Sequence, residues 1–207
     1  MLRRVLVMAV FAALVAPLTA QTPAGLKMRV DQSQDAQDPD DNPELKVMTV
    51  GSGYRVTGGP AATLWNPANS AAGNYTLKAT FRLMQPSNHI NYYGLVFGGR
   101  NLDAATQSYT YFIVAQNGTF MVKQRSGETA PTLQNRMAHA SVRQPDASGQ
   151  SVNTLEVRVM GDTLSFVVND TVVHTMPKGK VMTDGLVGVR VNHVLDVQVE
   201  GFELRKS

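Results

Sequence analysis

The sequence predicts an all-β protein, a two-sheet antiparallel sandwich with little helix. Three observations carry the prediction. Apolar and polar residues alternate with period two in one short run after another. Leu155, Val157 and Val159 alternate with Glu156 and Arg158, and Val187, Val189 and Val191 with Gly188, Arg190 and Asn192. Such alternation marks strands with one buried and one wetted face. Turn pairs separate the runs at Asn117-Gly118, Gly161-Asp162, Asn169-Asp170 and Asp184-Gly185, where short hairpin loops favour them. Only residues 134–149 lack strand character, and they are expected to form a long crossing loop or a short helix over 134–142.

The chain opens on an expected export signal, residues 1–20. Arg3 and Arg4 form a basic start, residues 5–15 are an apolar run too short to span a bilayer, Pro17 breaks it, and Ala20 offers a small residue before Gln21. No other window is apolar enough for a membrane helix, so the expectation is a chain exported to the periplasm or beyond, without membrane insertion. The absence of cysteine excludes disulfides and a lipid anchor, so an exported domain must rest on its core alone. About 160 residues suffice, since a chain of that size buries roughly two-thirds of its extended surface. Losing Arg3 and Arg4 lowers the formal net charge from +3 to +1. With no basic run interleaved with aromatics, nucleic acid is not an expected partner.

Residues 21–43 read as an acidic, proline-containing spacer or arm with a short first strand over 26–30, and residues 44–207 as one sandwich domain. Asp35, Asp38, Asp40 and Asp41 lack the alternate ligands, central glycine and terminal glutamate of an EF-hand loop. Residues 45–50 and 54–57 pair across Gly51-Ser52-Gly53, and Gly58-Gly59-Pro60 breaks the pattern before a strand over 61–65. Residues 66–74 (NPANSAAGN) read as turn. Alternation resumes with Tyr75, Leu77, Ala79, Phe81 and Leu83 on one face. After a polar loop over 85–91, strands follow at 92–97, 109–115 and 120–123, for eleven or twelve in all. The first two are apolar on both faces, which sets them mid-sheet beneath a second cover or along an apolar groove, the concave face of a jelly roll.

The later strands carry a family resemblance. Asn153, Leu155, Val157, Gly161, Val168 and Asn169, then Asp184, Gly185, Gly188 and Val191, and a last strand ending near Phe202 resemble the concanavalin A-like lectin/glucanase jelly roll. More narrowly, they resemble exported bacterial proteins of the 3-keto-disaccharide hydrolase domain family. The similarity covers residues 75–204 and rests on turn and core positions. It implies a jelly-roll sandwich and either glycan binding or action on 3-keto-glycosides. It transfers no active site: Glu128, Glu156, Glu200 and Glu203 are isolated, whereas glucanase chemistry needs two carboxylates flanking the scissile bond.

Residues suited to sugars are scattered along the chain. Tyr92, Tyr93 and Trp65 offer flat faces for pyranose C–H groups, while Asn88, His89, Arg100, Asn101, Asp103 and Asn192 offer directed hydrogen bonds. His193, beside Arg190 and Asn192 near a strand end, or His89 is the candidate base, with Arg190 or Arg100 as oxyanion donor. The histidines at 89, 139, 174 and 193 show no ligand spacing, so neither metal nor cofactor is expected. The leading expectation is a glycan-binding module on the concave sheet. The rivals are a 3-keto-glycoside hydrolase or lyase with a histidine base, and a non-catalytic protein-interaction or structural domain.

Overall fold

The computed structural model describes residues 23–31, 44–179 and 181–207. The expected export signal and the four aspartates of the acidic stretch lie outside these. Fourteen strands run through the described residues, which contain no helix: β1 (Lys27–Asp31), β2 (Lys46–Val50), β3 (Gly53–Thr57), β4 (Ala61–Ala71), β5 (Tyr75–Gln85), β6 (Tyr92–Arg100), β7 (Ser108–Ala115), β8 (Thr119–Ser126), β9 (Thr132–Ala138), β10 (Ser151–Met160), β11 (Thr163–Val168), β12 (Thr171–Pro177), β13 (Gly185–Val191) and β14 (Asp196–Lys206). They form two seven-stranded sheets, ordered β1-β4-β13-β6-β7-β8-β9 and β12-β11-β10-β5-β14-β3-β2. Every pairing is antiparallel. This is the expected jelly-roll sandwich.

The core lies between the sheets and follows the period-two pattern. Tyr75, Leu77, Ala79, Phe81 and Leu83 of β5 are all buried and meet Tyr93, Leu95 and Phe97 of β6 across the gap. Phe166 sits at the centre, its ring 5.0 Å from Phe112 and 6.4 Å from Phe97. The hairpin turns use the expected residues. Asn169 and Asp170 adopt φ of 48° and 65°, the double left-handed turn that matches strand twist. Asn153 is buried and fully partnered. Its Oδ1 accepts from Arg143 N at 2.8 Å and Asn169 Nδ2 at 2.9 Å, and its Nδ2 donates to the Tyr93 hydroxyl and Arg143 O, both at 3.0 Å.

Two expectations need correction. Residues 134–149 are not wholly loop: β9 occupies Thr132–Ala138 as the edge strand beside β8. Its faces are mostly exposed, so no buried face imposed an alternation to be read. The stretch 66–74 is not wholly turn either, because β4 continues to Ala71. A register shift opposite Leu186/Gly188 makes a bulge there, and the Asn66 side chain closes it by accepting from Ala68 N at 2.9 Å. A bulge accommodates Pro67, which has no N–H to give a ladder.

The first sheet is curled. Arg125 on β8 and Asp31 on β1 approach within 3.5 Å, although five inter-strand steps separate their strands. At about 4.8 Å per step a flat sheet would hold them roughly 24 Å apart, beyond the combined reach of the two side chains. The face bearing them is therefore the inside of the curl.

Candidate functional site

The outer, curled face of the first sheet carries a second buried cluster, separate from the core. On β7, Phe112 and Val114 face the core, while Tyr109, Tyr111, Ile113 and Ala115 belong to the outer cluster. Tyr92 and Val96 of β6 and Trp65 of β4 join them, and Leu102 folds in from the β6–β7 loop. Strict alternation across central strands produces both surfaces at once.

Arg190 stands at the middle of this face, between core-facing Val189 and Val191, and is only 5% exposed. Its Nη1 donates to the Tyr109 hydroxyl at 3.0 Å and Thr63 Oγ1 at 3.2 Å, and its Nε donates to Asn192 Oδ1 at 3.1 Å. The guanidinium lies 5.6 Å from the centre of the Tyr111 ring. Asp31 Oδ2 is 2.8 Å from Arg190 Nη1 and 3.5 Å from Arg125 Nη2, and Asp31 Oδ1 is 3.8 Å from Arg29 Nε. Oδ2 accepts no aligned hydrogen bond despite the short approach, so we read the contact as ionic rather than directed. Arg125 also covers the Tyr109 ring at 6.0 Å. Gly94, the β6 partner of Arg190, admits no side chain, because a Cβ there would lie 2.2 Å from the Phe112 carbonyl oxygen.

Lys123 is on the same face, opposite Tyr111 in the ladder. Burial, then the charges of Arg125 and Arg190, hold its ammonium below the ordinary lysine value. Burial pushes the Tyr111 hydroxyl up, so it stays protonated as a donor. Several buried groups here lack hydrogen-bond partners: Arg29 Nε, Arg125 Nε, the Tyr92 hydroxyl and Gln107 Oε1. Buried polar atoms are seldom left so.

The residues singled out from sequence divide by position. Trp65, Tyr92, Arg190 and Asn192 meet on or beside the curled face. His89 and His193 come together at its Tyr92 end through Asn91, whose Nδ2 lies 3.0 Å from His89 Nε2 and donates to His193 O at 2.9 Å. Asn192 N donates to Tyr92 O at 2.9 Å, fixing that corner. Asn88 lines a neighbouring hollow with Ser87, Val194 and Asp196. Tyr93 instead points into the core, because it is one residue out of phase with Tyr92, and bonds Asn153. Arg100, Asn101 and Asp103 lie at the far end of β6, roughly 26 Å along the strand from Tyr92 at about 3.3 Å per residue. There Asp103 Oδ2 pairs with Lys27 Nζ at 3.6 Å. Sequence reasoning missed Asp31, Arg29, Thr63, Tyr109, Lys123 and Arg125. Their signal was charge and hydroxyl at the outward positions of strands whose inward positions are core. Among the described residues no three of His, Cys, Asp or Glu gather as a metal would require.

No protein-family model matches this chain, and no curated protein matches it. Solved structures do. The carbohydrate-binding module CBM66 from Bacillus subtilis superposes with a TM-score of 0.62 at 12% identity, over 78% of this chain and 92% of its own. A Bacillus subtilis protein of unknown function with a galectin-like fold gives 0.61 at 9% identity, over 87% and 88%. A Bacteroides ovatus mixed-linkage glucan GH16 in complex with a product gives 0.59 at 7% identity, over 89% and 96%. At these identities what is shared is the fold, a concanavalin- and galectin-like jelly roll.

Proposed function

We propose that this chain is an exported carbohydrate-interacting module that holds a glycan in the curled outer face of its first sheet. The observation that carries the reading is the seating of Trp65, Tyr92, Tyr109 and Tyr111 beside Arg190, Thr63 and Asn192, on a face turned away from the core. Flat amphipathic rings with a few fixed donors are what a pyranose needs. The structural neighbours named for carbohydrate binding or glucan hydrolysis support the reading through their shared fold, though fold alone does not imply function.

The chain's one tryptophan is Trp65, so its emission reports directly on this face. Titration with a panel of oligosaccharides should shift Trp65 fluorescence saturably for at least one, at micromolar to millimolar concentration, about 4–8 kcal/mol of affinity. A flat response from folded protein across a glycan array would sink the proposal and leave a protein-interaction domain. Export belongs to the same reading: the mature chain should begin near Gln21, and an intact mass retaining Met1 would refute it. So does the division into an arm at 21–43 and a body at 44–207.

A second reading is favoured by one observation, the meeting of the His89 ring and the His193 backbone carbonyl at Asn91, beside Tyr92. A 3-keto group acidifies the adjacent C–H, so hydrolase or lyase action on a 3-keto-glycoside needs one base and one oxyanion donor. In this reading His193 is the base and Arg190 the donor. His193→Ala should then abolish turnover of a 3-keto-disaccharide while sparing glycan retention; equal turnover by the variant would exclude His193 as base.

A further inference from the structure

The charges on the curled face do not balance. Arg29, Arg125 and Arg190 share a single carboxylate, Asp31, and guanidinium stays charged at any pH a protein meets. Lys123 adds a fourth cation on this face, held below the ordinary lysine value by burial first and then by the charges of Arg125 and Arg190. A neutral sugar needs one or two fixed donors, not four cations. Nor does the arrangement serve stability, because buried charge is costly unless paired and apolar side chains of similar volume would pack at no such cost. Arg29 Nε and Arg125 Nε are buried yet donate to nothing, so two donor positions of the fork geometry are unfilled. The side chains of Arg29 and Arg125 keep 28% and 18% of their exposure, which puts them at the rim. Arg190 and the Tyr109 hydroxyl form the floor.

We propose that the glycan bound here is acidic, a saccharide whose carboxylate or sulfate oxygens are received by Arg29 and Arg125 at the rim of the face floored by Arg190. This inference rests on the proposed glycan binding and names its ligand class. Asp31 then holds the guanidinium groups in place when the site is empty and is the internal counter-ion that the ligand's anion supplements. Guanidinium forks suit both carboxylate and sulfate oxygens.

The test measures binding by calorimetry and by Trp65 emission for trigalacturonate, its fully methyl-esterified form, a sulfated galactan trisaccharide and inorganic sulfate. The acidic trisaccharide should bind at least about tenfold more tightly than its ester at low ionic strength, the scale of one or two charge-assisted hydrogen bonds. That advantage should shrink with added salt. Arg125→Gln and Arg29→Gln, each melting close to the parent, should bring the acid-to-ester ratio down toward one. Tighter binding of the sulfated trisaccharide than of trigalacturonate would assign sulfate as the anion. Equal binding of acid and ester overturns the acidic ligand and leaves glycan binding standing, whereas failure of every saccharide removes both. Binding of inorganic sulfate as tight as that of the best trisaccharide overturns the saccharide part. An acid preference untouched in both folded variants overturns the assigned residues.

Discussion

Strands β6, β7 and β13 have two faces of opposite character, built from neighbouring residues of the same chain. Toward the core, Tyr93, Leu95, Phe97, Phe112, Val114, Val187 and Val189 interlock with the second sheet, and the polar group among them, the Tyr93 hydroxyl, accepts from Asn153 Nδ2. Toward the curl, Tyr92, Tyr109, Tyr111 and Arg190 are also buried, yet charge is in excess and donors go unpaired. Equal burial with unequal satisfaction of polar groups is what separates the two faces. The inner face gains from every apolar contact. The outer face keeps groups that an apolar replacement would make cheaper to bury.

That contrast can be broken by mutation. Phe166→Ala should cost most, about 3–5 kcal/mol from lost transfer energy plus a cavity, read from urea unfolding; an unchanged midpoint would refute its central place in the core. Asn153→Ala comes next. It removes the partner of the Tyr93 hydroxyl and of both Arg143 peptide groups, while the Asn169 amide keeps Ser141 O, and one or two groups left unpaired put the loss near ~3 kcal/mol. Arg190→Met should cost less, about 1–3 kcal/mol, because Arg125 and Arg29 still hold Asp31. A loss equal to that of Phe166→Ala would mean the outer cluster is a second core, and the contrast between the faces would collapse.

The smallest expected effect has the opposite sign. Lys123 is depressed below its ordinary value of 10.5. Below its folded pKa the residue is protonated both folded and unfolded, and the full penalty of burying it and of crowding it against Arg125 and Arg190 is present. Between that pKa and about 10.5 the unfolded chain holds more protons, so stability rises with pH. Lys123→Met should therefore melt slightly above the parent at pH 7, with the gain fading toward pH 10.5 in paired calorimetric scans. A lower midpoint at pH 7 would show that the ammonium is held favourably and that the cationic excess is not felt there.

The fold was legible wherever one face of a strand is buried. The five core positions of β5 and the Asn169-Asp170 turn could be read directly, since alternation and left-handed turn chemistry are local. β9 was not legible, because TLQNRMA at an open edge has no face to encode. The continuation of β4 was hidden by Asn66 and Pro67, whose turn chemistry is satisfied within a bulge. Half of the site was visible, in Trp65, Tyr92, Arg190 and Asn192. The convergence of Asp31, Tyr109 and Arg125 was not, because it depends on a curl joining strands at nearly opposite edges of a sheet, and no local pattern records curvature. The one-residue phase between Tyr92 and Tyr93 decides which is outward, and only the pairing register settles it.

The strand order also bears on how the chain is made. β13 lies between β4 and β6, and β14 between β5 and β3. The last strands in sequence are therefore interior members of both sheets, and neither sheet can close until they have emerged. A chain growing from its N-terminus holds β4, β5 and β6 with open hydrogen-bonding edges until nearly the whole sequence has been synthesised. Pairings this distant slow folding and leave edges exposed to other chains. Completion of both sheets therefore waits on β13 and β14, whose arrival turns separate open edges into two closed ladders.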